Sequence, residues 1–307
     1  MNDTDAPIAF RRLTHWYGGK RALHDLTLDV PRGSIFAMLG RNGAGKSTAI
    51  RCLLGFQRPT TGSASILGHD SSELPPAARG RIGYVSEGQR LVRWMRVRDI
   101  VRFQRATFPT FDASLADAYL KRLRLDPRAQ VKTLSNGQRA QLALVLALAP
   151  RPEVVVMDDP ALGLDAVVRR EFLDVMIDLI QEEGRTLLFS SHILTDVERV
   201  ADRVAILVDG VLRVNAPLDV VKRRIRRVHA IFENDAPPVP AIAGLIRGVR
   251  RRNEWVLTVA TDGGAGETSP VEAQARGVGA REVECDGLGL EDLFIEYTSG
   301  AAEEVRS

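Results

Sequence analysis

Gly40-Arg41-Asn42-Gly43-Ala44-Gly45-Lys46-Ser47-Thr48 is the stretch that decides the fold. It contains G-x-x-x-x-G-K-S, the pattern of a phosphate-binding loop. The apolar run 35–39 before it reads as a buried strand, and 49–54 after it continues as a helix. Strand, loop and helix are the context the pattern requires. Gly43 and Gly45 carry no Cβ, so the backbone can approach an anion closely. Successive N–H groups then face one concavity, and the helix adds its partly positive N-terminus. Lys46 is expected to reach the β- and γ-phosphates, and the Ser47 hydroxyl to take a Mg²⁺ position. The loop by itself predicts a nucleoside triphosphate and no more.

Outward from the loop, the 307 residues suit one large domain with a small one, or two domains. A hydrophobic fraction of 45% with 26% charged residues is that of a globular chain. The longest apolar run, 142–149, falls far short of the ~18 residues that span a bilayer. The acidic, polar opening 1–5 lacks the basic-then-apolar plan of a secretory leader, so a cytoplasmic location is expected. Cys52 and Cys285 lie far apart and read as buried thiols rather than a disulfide. A net charge of +3 is small for this length, and no nucleic-acid partner is expected.

Before the loop, 8–10 and the alternating run 22–30 read as strands flanking His15-Trp16-Tyr17-Gly18-Gly19. An aromatic at 16 or 17 stacks on a purine or packs in a core or hairpin; the residues alone favour packing. After the loop, 60–68 reads as a turn and edge strand, and 82–87 as a core strand ending at Glu87. Arginines between 90 and 105, interleaved with Trp94, Ile100 and Phe103, read as amphipathic helices with a wet face. Leu134-Ser135-Asn136-Gly137-Gln138 opens a helix rich in Ala and Leu, with Ser135 a good N-cap and Pro150 and Pro152 ending it. The strand 154–157 ends in Asp158-Asp159-Pro160, and an acidic residue there suits a hydrated Mg²⁺. A helix follows over about 167–181, then the strand 186–191 with His192 just past its end. Asp209-Gly210 turns a hairpin over 204–214.

Alternating strands and helices predict an α/β fold with a mainly parallel sheet. The candidate residues fall at strand C-terminal ends, where open α/β sheets bind ligands. Beyond the basic run 222–227 the composition changes. Loops at 236–240 and 263–266, strands at 228–233 and 254–260, and a short helix over 290–297 predict a small α+β appendage. The basic clusters 222–227 and 247–252 read as solvated surface, with contact to anionic headgroups or a partner as the other reading.

Taken in order, the phosphate loop, Glu87, L-S-N-G-Q, V-V-V-M-D-D-P, Gly163-Leu164-Asp165 and His192 resemble the nucleotide-binding subunit of an ATP-binding cassette (ABC) transporter. The resemblance covers roughly 5–225, and L-S-N-G-Q is its specific element. It implies a phosphate-loop NTPase core with an antiparallel β subdomain and a helical subdomain (about 90–150), together forming an ABC ATPase domain over 1–225. Residues 226–307 form the accessory domain.

It further implies a homodimer stacked head to tail, with two ATP molecules between the copies. Gly40, Arg41, Asn42, Gly43, Ala44, Gly45, Lys46, Ser47 and Thr48 would bind one ATP. Ser135, Asn136, Gly137 and Gln138 would meet it from the other copy, with Ser135 and Gly137 at the γ-phosphate. Tyr17 would stack on adenine, Asp158, Ser47 and Glu87 would hold Mg²⁺, and His192 would touch the γ-phosphate. Asp165 would communicate across the dimer. Asp159, His192, Lys46 and Glu87 would carry the catalysis. The closest likeness is to bacterial exporters whose integral-membrane permease is a separate chain, as Leu290-Glu291-Asp292-Leu293-Phe294-Ile295-Glu296-Tyr297 resembles their ends. The protein would then lie on the cytoplasmic face of the cell membrane, and its permease would dock on the segment from Glu87 to about Asp99.

Three positions depart from the family pattern. Asn136 replaces a glycine, and Asn tolerates left-handed backbone better than most residues. Glu87 replaces Gln and adds charge near the triphosphate. Asp159 stands where the family carries a catalytic Glu, one methylene longer. That shortening keeps a second function in view, a nucleotide switch that binds but hardly hydrolyses. A third, a soluble mechanical ATPase of translation or DNA repair, requires two cassettes or a long coiled-coil insertion; this chain has one cassette and no heptad run.

Overall fold

The computed structural model describes residues 6–181, 184–260 and 269–298. The chain divides into two compact units, Met1–Asn215 and Ala216–Ser307. The predicted loop at 263–266 lies outside the described residues.

The first unit begins β1 (Ile8–Tyr17), β2 (Lys20–Val30), β3 (Ile35–Leu39), α1 (Lys46–Leu53), β4 (Thr61–Ile66), β5 (His69–Asp70) and α2 (Pro76–Arg79). It continues β6 (Ile82–Val85), α3 (Val97–Thr107), α4 (Ala113–Arg122), α5 (Asn136–Leu148) and β7 (Val154–Met157). It closes with α6 (Ala166–Gln181), β8 (Thr186–Ser191), α7 (Leu194–Val200), β9 (Arg203–Val208) and β10 (Val211–Pro217), the last crossing into the second unit.

Six strands form one sheet in the order β10-β9-β3-β8-β7-β6. The pairs β3–β8, β3–β9, β7–β8 and β6–β7 are parallel, as the alternation of elements predicts. Every residue of β3, β7 and β8 is buried. Parallel strands covered on both faces read as continuous apolar runs, as β3 and β7 do, while β8 has an apolar centre with Thr186, Ser190 and Ser191 at its ends. β9 and β10 meet at Asp209-Gly210, both with positive φ (48° and 79°), the backbone of a type I′ hairpin.

A second sheet runs β2-β1-β4-β5 and is antiparallel. Its buried face (Ile8, Phe10, Leu26, Leu28) shares a core with Phe36 and Met38 of β3 and Ile50 and Leu53 of α1. Helix α1 is thereby clamped among both sheets, which fixes where its N-terminus points. Three strand expectations change. β4 is an interior strand, because the two-residue β5 covers its far side. β6 ends at Val85 and lies at the sheet edge, so Glu87 sits in a turn. The segments read as a strand and a separate aromatic cluster before Lys20 are one strand, β1, irregular where Arg12 takes a φ of 49°.

Cys52 is buried in α1, and burial pushes its thiol up to about 11. Both cysteines are free. Cys285 differs from the expected buried thiol in being partly exposed at the margin of the second unit.

The second unit holds α8 (Leu218–Arg224), β11 (Ile225–Phe232), β12 (Leu245–Arg251), β13 (Glu254–Ala260), α9 (Ser269–Gly277), β14 (Ala280–Gly287) and α10 (Leu290–Thr298). Its antiparallel sheet runs β12-β13-β11-β14. Trp255 is fully buried at its centre, edge-on to Phe232 at 4.8 Å, with its indole N–H donating to the Pro237 carbonyl at 2.6 Å. The unit begins before the boundary at 225 read from composition, because α8 packs on β11.

In the basic stretch 247–252, which is strand β12 and its turn, Arg250, Arg251 and Arg252 are exposed as the solvated-surface reading expects, and Arg247 is partly buried. Arg247 and Arg227 both donate to the buried carboxylate of Glu296, at 3.0 and 3.2 Å. Arg227 also pairs with Asp292 at 3.2 Å. Two cations of the apparent surface patches therefore neutralise α10 within the unit. Among the described residues, no helix is long and apolar enough to cross a membrane.

Candidate active site

The loop between β3 and α1 opens a cleft of about 350 Å³. Tyr17, Lys20, Asn42, Gly43, Ala44, Gly45, Lys46, Ser47, Thr48, Glu87, Asp158, Asp159 and Ser190 are among its lining residues. These come from the β1 end, the phosphate loop, and the C-terminal ends of β6, β7 and β8, the edge where parallel sheets bind ligands.

Gly45 is the N-cap of α1 with φ of 102°, a left-handed backbone. A Cβ there would lie 2.5 Å from the Ala22 carbonyl and 2.7 Å from Leu23 Cδ2. The loop needs a glycine at this point for both reasons. Lys46 is buried, and its Nζ donates to the carbonyls of Gly40 at 2.7 Å and Arg41 at 3.3 Å. Burial lowers its pKa, while the negative charges of Asp159, Asp158 and Glu87 oppose that fall. The ammonium is folded back into the loop, beside the carboxylates it faces.

Asp158 follows β7, and its N–H is tied to the Val85 carbonyl of β6 at 2.9 Å. Its side chain is almost fully buried. Oδ1 accepts from the Ser47 hydroxyl at 2.9 Å and from the Ser190 hydroxyl at 2.8 Å. This hard-oxygen set at the phosphate loop fits Mg²⁺, which takes one or two carboxylates and completes its shell with water and substrate phosphate.

Asp159 adopts a φ of 44°, an αL backbone that Asp tolerates better than most residues. Its N–H donates to Ser190 Oγ at 2.9 Å. Its Oδ2 lies 2.6 Å from His192 Nδ1. Ser190 thus holds both aspartates, receiving a bond from one and giving a bond to the other. In the sequence Ser190 belongs to no motif and falls within the strand 186–191. Its signal was a polar residue at the C-terminal end of an otherwise apolar run. Gln89 likewise belongs to no motif: it is buried, has a φ of 42°, and donates to the Pro160 carbonyl at 3.1 Å.

Ser135, Asn136, Gly137, Gln138 and Asp165 do not line the cleft of their own chain. Ser135 caps α5 with a reciprocal capping box: its Oγ accepts from the Gln138 N–H at 3.2 Å, and Gln138 Oε1 accepts from the Ser135 N–H at 3.0 Å. Asn136 is the first residue of α5 and has no positive φ, so left-handed tolerance is not what admits it. Its side chain instead accepts a bond from Arg139. Asp165 Oδ1 caps α6 by accepting from the N–H groups of Val167 (3.1 Å) and Val168 (3.0 Å).

At Gly137 the constraint is close approach. A Cβ there would lie 2.1 Å from Val168 Cγ1 of α6. Gly137→Ala is expected to lower stability by about 1–3 kcal/mol, the usual cost of overpacking. Urea unfolding measures it, and adding Val168→Ala should recover most of the loss. An unchanged midpoint for the single variant would show that the helices separate freely.

A second cleft of about 320 Å³ lies between β6, α3 and α5, lined by Tyr84, Ser86, Gln89, Arg90, Leu91 and Phe108 among others. Nearby in sequence, Trp94 and Phe103 expose 75% and 64% of their surface.

The region that holds the phosphate loop and the β7 aspartates is similar to known proteins. The family model described as ABC transporter matches residues 23–162. The ABC transporter ATP-binding protein YtrB of Bacillus subtilis is 30% identical over 74% of this chain and 78% of its own length. The sulfate/thiosulfate import ATP-binding protein CysA of Yersinia pseudotuberculosis is 32% identical over 82% of this chain and 72% of its own. A solved ATP-binding subunit of an ABC transporter superposes with a TM-score of 0.63 at 27% identity, covering 70% of this chain and 92% of that one.

Proposed function

Because the chain belongs to the ABC transporter ATP-binding family, we propose that two copies close around two Mg²⁺·ATP units and drive a separate integral-membrane permease. The chain is the ATP-binding, ATP-hydrolysing subunit of such a transporter. The observation that carries the rest is an incomplete site. One chain brings Lys46, Ser47, Glu87, Asp158, Asp159 and, through Asp159, His192 to one cleft, while Ser135 and Gly137 stay outside it. A second copy placed head to tail supplies them.

In this reading the phosphate-loop N–H groups and Lys46 bind the β- and γ-phosphates. Asp158, Ser47 and Glu87 hold Mg²⁺, which neutralises phosphate charge when bound. Asp159 orients the attacking water and accepts its proton, and His192, held at Nδ1, contacts the γ-phosphate. Tyr17 stacks on adenine, and Asp165, as the cap of α6, reports on the opposite copy. The cleft between β6 and α5, with the exposed Trp94 beyond it, receives a helix of the permease at the cytoplasmic membrane face. The likeness of 290–297 to exporter ends supports export.

The test is mass in solution. Mg²⁺ and ATP should convert the chain from monomer to dimer, whereas Ser135→Arg should bind ATP and stay monomeric. Dimerisation of Ser135→Arg equal to that of the parent would overturn the composite site. The second reading, a switch that binds and hardly hydrolyses, is favoured by one observation: the short Asp159 is already engaged with His192.

A further inference from the structure

The Tyr17 side chain is not held by packing alone. It ends β1 at the hairpin tip, where neither Gly18 nor Gly19 has any atom within 4 Å of the place a Cβ would take. Its side is 43% exposed. A ring so placed would ordinarily sample several rotamers. Here its hydroxyl donates to Gln57 Oε1 at 2.6 Å. The Gln57 amide nitrogen lies 2.7 Å from His15 Nε2. Tyr17, Gln57 and His15 thus form one chain of side-chain bonds, and the buried Nδ1 of the imidazole has no hydrogen-bond partner among the described residues. His15 is only 6% exposed, and its ring meets Tyr17 edge-on at 4.7 Å and 76°. The aromatic is therefore braced at its hydroxyl and along its edge.

The brace is anchored to the phosphate site. Gln57 lies in the turn that follows α1, beyond its C-cap Leu54, and its N–H and that of Phe56 both donate to the Arg51 carbonyl of that helix, at 3.2 and 2.9 Å. The same segment is sewn to β1 by the Thr60 N–H donating to the Thr14 carbonyl at 2.8 Å and the Trp16 N–H donating to Thr60 Oγ1 at 3.1 Å. Helix α1 begins in the phosphate loop and ends at the support of the aromatic.

We propose that Gln57 and His15 are positioning residues that hold Tyr17 as a preformed stacking plate for the nucleotide base, at a distance from the phosphate loop set by α1. The proposal rests on the reading of Tyr17 as the adenine-stacking residue. A side chain ordered before binding spares the entropy of ordering it during binding, an effect of about two- to tenfold in affinity.

The experiment compares binding of ATP with binding of inorganic tripolyphosphate, which has no base, by calorimetry. Gln57→Ala and Tyr17→Phe should each weaken ATP by about two- to tenfold and leave tripolyphosphate unchanged. Combining them should do no more than the stronger single variant, because both cut one chain of bonds. Tyr17→Ala separates this proposal from the reading beneath it. If Tyr17→Ala weakens ATP while Gln57→Ala and Tyr17→Phe bind as the parent does, the brace is overturned and stacking stands. If Tyr17→Ala also binds as the parent does, stacking falls and the brace with it. Equal weakening of ATP and tripolyphosphate would reveal general structural damage and likewise overturn the proposal.

Discussion

Asp159→Asn is expected to lower steady-state ATP turnover roughly 10²–10⁴-fold, the range for losing a general base, while leaving ATP binding intact. The amide keeps the size of the side chain and a bonding partner for His192, but it cannot accept a proton from water. The backbone at 159 is fixed by its own N–H to Ser190 and by its αL conformation, so the substitution should not move the loop. Phosphate release measured beside equilibrium ATP binding separates the two effects, and turnover equal to the parent would remove Asp159 from the chemistry. The companion variant is Asp159→Glu, which restores the longer side chain of the resembled family. A misplacement of about 1 Å costs around 10²-fold, so turnover should rise, up to that factor. No change would sink the reach argument. A parent that barely turns over and a variant that does would favour the switch reading.

The difference between what the chain reveals in one dimension and in three is visible at particular residues. The phosphate loop is legible because its chemistry is local: strand, turn and helix are consecutive, and the glycine of the cap is needed by the loop's own dihedral angle. The parallel core is legible for a similar reason. β3 and β7 are buried on both faces, and their unbroken apolar runs record it. β6 and β4 were misplaced because edge or interior position depends on which strand pairs alongside. The pairing that covers β4 comes from only two residues, His69 and Asp70.

Bonds between distant segments leave no periodic trace. Gln57 supports Tyr17 across 40 positions, and Ser190 reaches Asp158 across 32. Neither Gln57 nor Ser190 belongs to a recognisable spacing. Charge misleads for the same reason. Arg227 and Arg247 belong to basic runs, yet their partner Glu296 comes from the far end of the described chain and is buried between them. Arg250, Arg251 and Arg252 are exposed as their cluster suggests, while Arg227 and Arg247 are set apart by a carboxylate that the local sequence does not contain. Asn136 shows a further limit. Its identity suggested a strained backbone, but the fold puts it in the first turn of a regular helix and gives the αL conformation to Asp159.

Lys46→Ala is expected to reduce ATP turnover by about 10²–10³-fold, the effect of removing one preorganised donor from developing phosphate charge, and to weaken ATP binding. Its Nζ now rests on the Gly40 and Arg41 carbonyls inside the loop that would bind the phosphates. Bound phosphate oxygens would draw it away from those carbonyls, exchanging neutral acceptors for charged ones, which make the stronger bonds. Burial already disfavours the charged amine and the facing carboxylates partly offset this, so a triphosphate entering beside Asp158, Asp159 and Glu87 depends on Lys46 for compensating charge. ATP should suffer more than ADP, since the γ-phosphate is one of the groups the amine serves. Lys46→Arg should not rescue, because a planar guanidinium does not fit a space shaped for a compact ammonium. Calorimetry with both nucleotides, with unfolding curves to establish that the variants fold, measures all three expectations. Full ATP affinity in Lys46→Ala would mean that the loop at 40–48 is not where the triphosphate binds, and the composite site built on it would have no basis.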